Sequence, residues 1–200
     1  MSRGLGDVYK RQGVHYEVNI LAGQKTGFYA DQRDNRQRFA RLCGGHDVLD
    51  LYAYTGGFGL QALHRGARSV TAVDASQRAI DVASNNAVLN GFDAQWQGIC
   101  ADAMTVMKEH VASGQRWTRI ICDPPKLARA RGHVNDAIKK YARINTLALN
   151  ALEPGGLLLT CSCSQHISDE VFLRMLTDAG HRLRRAVHVL DRWSQAPDHP

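Results

Sequence analysis

Val48-Leu49-Asp50-Leu51-Tyr52-Ala53-Tyr54-Thr55-Gly56-Gly57-Phe58-Gly59 is an apolar, strand-like run that breaks into a glycine-rich turn and reopens as a helix. Three more short motifs end apolar runs further on: Val70-Thr71-Ala72-Val73-Asp74, Ile120-Ile121-Cys122-Asp123-Pro124-Pro125-Lys126 and Leu157-Leu158-Leu159-Thr160-Cys161-Ser162-Cys163-Ser164. In open α/β sheets ligands bind beyond the carboxyl ends of the strands, so these motifs should converge on one crevice. A Gly-rich turn, an acidic residue one strand later and a cysteine on a later strand point to a nucleotide-like cofactor beside a nucleophile.

Working outward, strands and helices alternate. Strands are expected at Asp47–Tyr52, Ser69–Asp74, Gln95–Cys100, Thr118–Cys122, Leu157–Cys161 and Ala186–Leu190. Helices are expected at Phe58–Arg65, Gln77–Leu89 (Ser76 its N-cap, Asn90-Gly91 its stop), Ala103 to about Val111, within Val134–Leu152 and at Ser168–Asp178. The long helix should stop at Glu153-Pro154-Gly155-Gly156. This alternation predicts an α/β, Rossmann-like fold: a doubly wound, mostly parallel sheet with helices on both faces. Upstream, Val14–Ile20 alternates like a strand and Asp34–Leu42 reads as an Arg-rich helix, so 13–45 is a β/α extension of the domain at 46–200. Residues 1–12 lack periodicity and read as a leader or junction without order. The chain stops soon after the strand at 186–190, which leaves the sheet without a closing C-terminal edge strand.

Two hundred residues suit one domain, and 44% hydrophobic with 22% charged residues is ordinary for a globular protein. No run is long enough for a membrane span, and the start has no signal-peptide core. Five cysteines, an odd number, fit a reduced cytoplasmic protein better than a disulfide framework; Cys43, Cys100 and Cys122 read as small core residues. The formal charge is +6, with arginines grouped at 33–41, at 129 and 131, and at 182–185. Such surfaces attract polyanions, although a solvated arginine-rich face explains the charge equally well. The sequence leaves the oligomeric state open, a dimer included.

Each motif also has a plainer reading. Thr55-Gly56-Gly57 suits close backbone approach to a ligand but is neither the Gly-x-Gly-x-x-Gly fingerprint nor a phosphate loop. Asp74, 24 residues after Asp50, can accept from both hydroxyls of a ribose or serve at a helix N-terminus, where Ser76 competes. Asp102 can meet an adenine amino group or cap the next helix. Asp123-Pro124-Pro125-Lys126 is a stiff loop that fixes a carboxylate and offers a cation to a planar substrate. Cys161 and Cys163 share a side if their strand continues, with Cys163 nearer the crevice. His166 raises a metal site as an alternative, but no second pair completes four ligands, and no metal is expected.

These motifs, with Gly23-Gln24-Lys25-Thr26-Gly27-Phe28-Tyr29 and Asp31-Gln32-Arg33-Asp34-Asn35-Arg36, resemble class I S-adenosylmethionine-dependent methyltransferases. More narrowly, the resemblance is to bacterial 23S ribosomal RNA cytosine carbon-5 methyltransferases of the RlmI type, from about Val14 to Pro200. It implies S-adenosyl-L-methionine as cofactor, held by Lys25, Thr26, Asp31, Arg36, Thr55, Gly56, Gly57, Asp74, Ala75, Asp102, Ala103 and Asp123. It implies Cys163 as nucleophile, with Asp123 and Lys126 as catalytic partners, and large-subunit ribosomal RNA as substrate. The family's N-terminal PUA-type module and its closing strand have no counterpart here, which favours a chain truncated at both ends.

Cytosine carbon 5 takes a methyl group only after a thiolate adds to carbon 6, so this activity needs an activated cysteine. A base-nitrogen methyltransferase is the nearest alternative, but such enzymes place an aromatic residue where Lys126-Leu127 stands. A non-catalytic cofactor- or RNA-binding protein leaves Cys163 and the intact glycines unexplained. An oxidoreductase lacks its glycine fingerprint.

Overall fold

The computed structural model describes residues 7–18, 30–127, 131–164 and 166–196. Its centre is a five-stranded parallel sheet of order β5-β4-β3-β6-β7, with β3 Asp47–Leu51, β4 Ser69–Asp74, β5 Trp96–Cys100, β6 Trp117–Cys122 and β7 Leu152–Thr160. The chain winds outward from β3 to β5, then returns to β6 on the other side of β3, so the direction of winding reverses between β3 and β6. That reversal opens the crevice where such sheets bind ligands.

The central strands are continuous apolar runs because both faces are covered. Alternation assigns neighbours to opposite cores. Leu49, Leu51 and Ile120 join Val73, Met107 and Ile144 beneath α4 (Ala103–Ala112) and α5 (Val134–Ala151). Val48 and Ile121 join Phe39, Phe58 and Leu63 beneath α1 (Arg33–Ala40) and α2 (Gly57–His64). α3 (Gln77–Leu89) packs on β5, and α6 (Asp169–Arg182) on α5. Two caps expected from sequence are present: Ser76 Oγ accepts from Ala79 N at 3.3 Å, and Asp102 Oδ1 from Thr105 N at 2.9 Å.

Three expectations need correction. Residues 1–12 are not an unstructured leader throughout, because β1 (Asp7–Arg11) pairs antiparallel with β2 (Val14–Val18). The Pro-Gly-Gly stretch does not separate helix from strand: α5 stops at Ala151, and the turn bulges within β7, where pairing jumps from Trp117↔Leu152 to Arg119↔Leu157. No strand forms at 186–190. Arg184, in the left-handed region at φ 53, turns the chain back over the end of α6. Its continuation crosses to α1, where Ala196 N donates to Asp31 O at 2.8 Å and Asn35 Nδ2 to Ser194 O at 3.1 Å.

Among the described residues the β1–β2 hairpin pairs with no other strand; side chains at the C-terminal end of α3 bind its edge instead. Asn90 accepts from His15 N at 2.8 Å and donates to His15 O at 2.7 Å. One turn earlier, buried Asn86 accepts from Glu17 N at 2.6 Å and donates to Thr55 O at 3.3 Å, in the glycine-rich turn. The two amides stand in for a neighbouring strand. Asn90→Ala should lower the unfolding free energy by about 3 kcal/mol, since three side-chain hydrogen bonds are lost, and should speed amide exchange at His15. Unchanged exchange there would mean that the hairpin is held without Asn90.

Candidate active site

The register brings the strand ends level. Asp50 lies opposite Ala72 and Ile121, Asp74 opposite Cys100 and Cys122 opposite Thr160. Past the strand ends, the crevice is therefore bordered in order by Asp102, Asp74, the Thr55–Gly57 turn, Asp123 and Cys163. With strands about 4.8 Å apart, this row covers roughly 19 Å, enough for a nucleoside at one end and a second planar group at the other.

The turn after β3 is held tightly. Tyr52 and Tyr54 both take the left-handed backbone region, at φ 62 and 49, and Gly56 follows at φ 83. Non-glycine residues held there cost of order 1 kcal/mol or more and persist only where their surroundings fix them. Asp74 supplies one restraint: Oδ2 accepts from Tyr54 N and Oδ1 from Ser76 N, each at 2.9 Å. This carboxylate ties two loops together while remaining at the crevice edge. Asp102 commits Oδ1 to the cap of α4. Ala75 is exposed beside Asp74. Ala103 is 3% exposed in the core, so only its backbone could face a ligand.

Behind the turn lies Asp50, 1% exposed, which sequence reading did not select. Its Oδ2 accepts from Gly59 N at 2.8 Å. A Cβ at Gly59 would stand 3.0 Å from that oxygen and 2.8 Å from Val70, so only glycine fits. Burial pushes the Asp50 carboxyl up to about 7, the Gly59 amide opposing and the Asp123 charge adding to the rise. Arg36, 6% exposed, packs against Gly57 and lies 5.5 Å from the centre of the Phe58 ring. Burial lowers its pKa, while Tyr16, Asp123, Asp31 and Asp50 pull it back up.

Beyond β6 and β7 the second half of the site assembles. Asp123 is raised to about 6 by burial, against the opposing charge of Arg36, with Asp31 adding to the rise and a hydrogen bond from Cys161 lowering it. The Cys161 thiol is pushed well above its ordinary value by burial and by Asp123. Cys163 is exposed, and its Sγ donates to Pro124 O at 3.6 Å. β7 ends at Thr160, so the two cysteines do not continue a strand side by side: one turns inward and the other outward. Tyr141 of α5, fully buried and also missed from sequence, bonds Ser164 Oγ at 3.3 Å and Ser162 as well, which fixes the segment carrying Cys163. Cys100 corrects an expectation: it is exposed on the edge strand β5, whereas Cys43 and Cys122 are buried. Lys126 is exposed at the crevice mouth, and Lys25 and Thr26 lie outside the described residues. Among the described residues no three His, Cys, Asp or Glu side chains are placed to hold a metal ion, and no helix is long and apolar enough to cross a membrane.

A doubly wound sheet with a glycine turn, an acidic residue ending the adjacent strand and an Asp-Pro-Pro loop across the switch point defines a class I methyltransferase fold. Comparison with known proteins agrees. The profile of the S-adenosylmethionine-dependent methyltransferase family matches residues 6–200. Ribosomal RNA large subunit methyltransferase I of Vibrio parahaemolyticus is 42% identical over 196 residues, covering 96% of this chain and 49% of that protein. Its counterpart in Aeromonas salmonicida is 42% identical over 194 residues, with the same coverage. Among solved structures, SMU.776 in complex with SAH superposes with a TM-score of 0.78 at 25% identity, over 90% of this chain and 47% of that one. The SAM-dependent methyltransferase of Agrobacterium tumefaciens gives 0.75 at 25% identity, over 90% and 60%. The chain belongs to the S-adenosylmethionine-dependent methyltransferase family. It spans about half the length of the curated relatives it matches.

The buried acid sets a pH dependence. An unfolded Asp50 loses its proton near the ordinary 3.8, whereas the folded one keeps it to about 7. Between those values the folded state binds more protons, so stability falls as pH rises, by on the order of 4 kcal/mol at most. Asp50→Asn should flatten this decline in urea midpoints, leaving the smaller slope below about pH 6 that Asp123 contributes. Parallel pH profiles for the two proteins would rule out a neutral Asp50.

Proposed function

We propose that this chain is the catalytic part of a ribosomal RNA large-subunit methyltransferase that methylates carbon 5 of a cytosine through a covalent cysteine adduct. The observation that carries the reading is the pairing of an exposed Cys163 with the Asp-Pro-Pro loop: Sγ rests on the carbonyl of Pro124, one residue from Asp123. Sequence relatives named as ribosomal RNA large subunit methyltransferase I support the substrate class. Work on ribosomal RNA would place the protein in the cytoplasm.

The residues on the cofactor side fit S-adenosylmethionine. Asp74 and Asp102 offer carboxylate oxygens at the ends of adjacent strands, suited to ribose hydroxyls and an adenine amino group, and Thr55–Gly57 present backbone between them. Arg36 and Asp31 would border the cofactor's amino-acid end near Asp123. The bound cofactor supplies an electrophilic methyl group. Asp74→Ala should weaken calorimetric cofactor affinity by roughly 2–3 kcal/mol, because a charged acceptor is lost and Tyr54 and Ser76 lose their anchor. Unchanged affinity in a folded variant would remove Asp74 from the cofactor site.

On the base side, Cys163 as thiolate adds to carbon 6, which makes carbon 5 nucleophilic enough to take the methyl group. Loss of the carbon-5 proton then expels the thiolate and restores the ring. Asp123, poised at about 6, can protonate or hydrogen-bond the base edge as negative charge develops. Exposed Lys126 can add electrostatic support. The target base must leave its stack to enter. Cys161 suits a supporting role, since its thiol is inward and held in the protonated form by burial and Asp123.

The test is a trap. RNA carrying 5-fluorocytidine should form a denaturation-resistant adduct with wild type and Cys161→Ala, and none with Cys163→Ala. An adduct retained in Cys163→Ala and lost in Cys161→Ala would reverse the two roles. Mass spectrometry showing methyl on a base nitrogen, with no adduct in any variant, would replace the reading with nitrogen methylation.

A further inference from the structure

Outside the crevice, an open depression of about 400 Å³ is lined by Leu127, His133, Asp136, Ala137, Lys139, Lys140 and Arg143. Leu127 directly follows the Asp-Pro-Pro-Lys loop, His133 precedes α5, and the other residues belong to its first turns. Because α5 leaves from the end of the sheet where the crevice lies, its first ten residues, about 14 Å of helix, run alongside the site. Asp136, Lys139, Lys140 and Arg143 recur at helical spacing on one face. Tyr141 turns from the same two turns to the opposite side and bonds Ser164. One short piece of helix thus holds the nucleophile segment on its inner face and presents cations on its outer face.

The charges are uneven. Three cations share the lining with a single carboxylate, Asp136, which lies 3.5 Å from Lys139 in an exposed pair. Lys140 and Arg143 are exposed and directed to the cavity. Lys126, exposed one residue before Leu127, extends the positive strip toward Asp123. A single nucleic acid strand whose base enters the crevice must pass its adjoining phosphates along this border, and closely spaced cations beside an apolar wall suit that backbone.

We propose that this α5 cavity is the phosphate-backbone site for the RNA nucleotides flanking the target base, with Lys140 and Arg143 as its principal contacts. The proposal rests on the reading that the substrate is RNA. Binding would be non-specific in sequence and would place the strand, leaving base selection to the crevice. The arginines at 182–185 serve as the control. They lie at the end of α6, and Arg185 is anchored at the far end of α5, where its Nη1 donates to Leu152 O at 2.6 Å and Nη2 to Glu153 O at 3.0 Å.

The experiment measures fluorescence anisotropy of a short labelled single-stranded oligoribonucleotide over a range of salt concentrations. Lys140→Gln with Arg143→Gln should weaken binding about tenfold and reduce the log–log salt slope by about 1.4, two contacts at ~0.7 each. Calorimetric S-adenosylmethionine affinity should not change, which also reports that the variant is folded. The charge-keeping pair Lys140→Arg with Arg143→Lys should bind as wild type does, and so should Arg182→Gln with Arg184→Gln. Unaltered affinity and slope in the Gln pair, or an equal loss in the 182/184 control, would overturn the cavity assignment while leaving the RNA reading standing. Wild-type binding that ignores salt would overturn both.

Discussion

A single buried guanidinium organises this domain. Arg36 reaches from α1 beneath the glycine-rich turn, packs on Gly57 and the Phe58 ring, and lies among the carboxyl groups of Asp31, Asp50 and Asp123. Burying a charge is costly unless opposite charge and hydrogen-bonding groups surround it. Three elements close around it. The turn after β3 supplies close backbone, the loop after β6 a carboxylate, and β2 a buried tyrosine whose hydroxyl donates to Gly57 O at 3.5 Å. The hairpin, the turn and the Asp-Pro-Pro loop therefore cannot shift independently. A guanidinium keeps its charge even when burial works against it, which a lysine in that place would not do as reliably.

The same crowding separates two carboxyl groups by role. Asp50 has one backbone donor and full burial, and is held near neutral pH in its protonated form. Asp74 receives two backbone amides at the crevice edge and spans two loops with them. The first is structural, filling the space that only Gly59 leaves open. The second presents charge where a ligand's hydroxyl groups could meet it. Position along the strand, rather than residue type, decides the role.

The fold was legible because parallel central strands must be apolar throughout and helices must carry stop signals, so periodicity and glycine placement located every strand of the large sheet. The sixth strand at 186–190 was misplaced because Val187, Val189 and Leu190 have strand-like character, while the contacts that take this segment to α1 are long-range. Asp7–Arg11 was missed for a related reason: its pairing partner β2 is docked by Asn86 and Asn90, more than sixty residues away. Cys100 looked like core because its strand is apolar enough, but β5 is an edge and exposes it. Strand-end residues were found by their place after apolar runs. Asp50 and Tyr141 carry no such mark, since a lone Asp within a strand and a lone Tyr within a helix declare nothing until tertiary packing gives them partners.

The division between the two neighbouring cysteines follows from where β7 stops. Were the strand to run two residues further, alternation would set both thiols on one side and leave nothing to distinguish them. Instead Cys161 N makes the last ladder bond, to Cys122 O at 2.9 Å, and the chain then leaves the sheet. Cys161 is thereby fixed against Asp123, whose carboxylate disfavours a second negative charge beside it. Cys163 is carried outward on a segment that Tyr141 fastens through Ser162 and Ser164. Nucleophilic thiol chemistry requires a thiolate that can be reached. In the proposed reaction, the end of the strand makes that choice: it gives the inner thiol to Asp123 and leaves the outer one to the substrate.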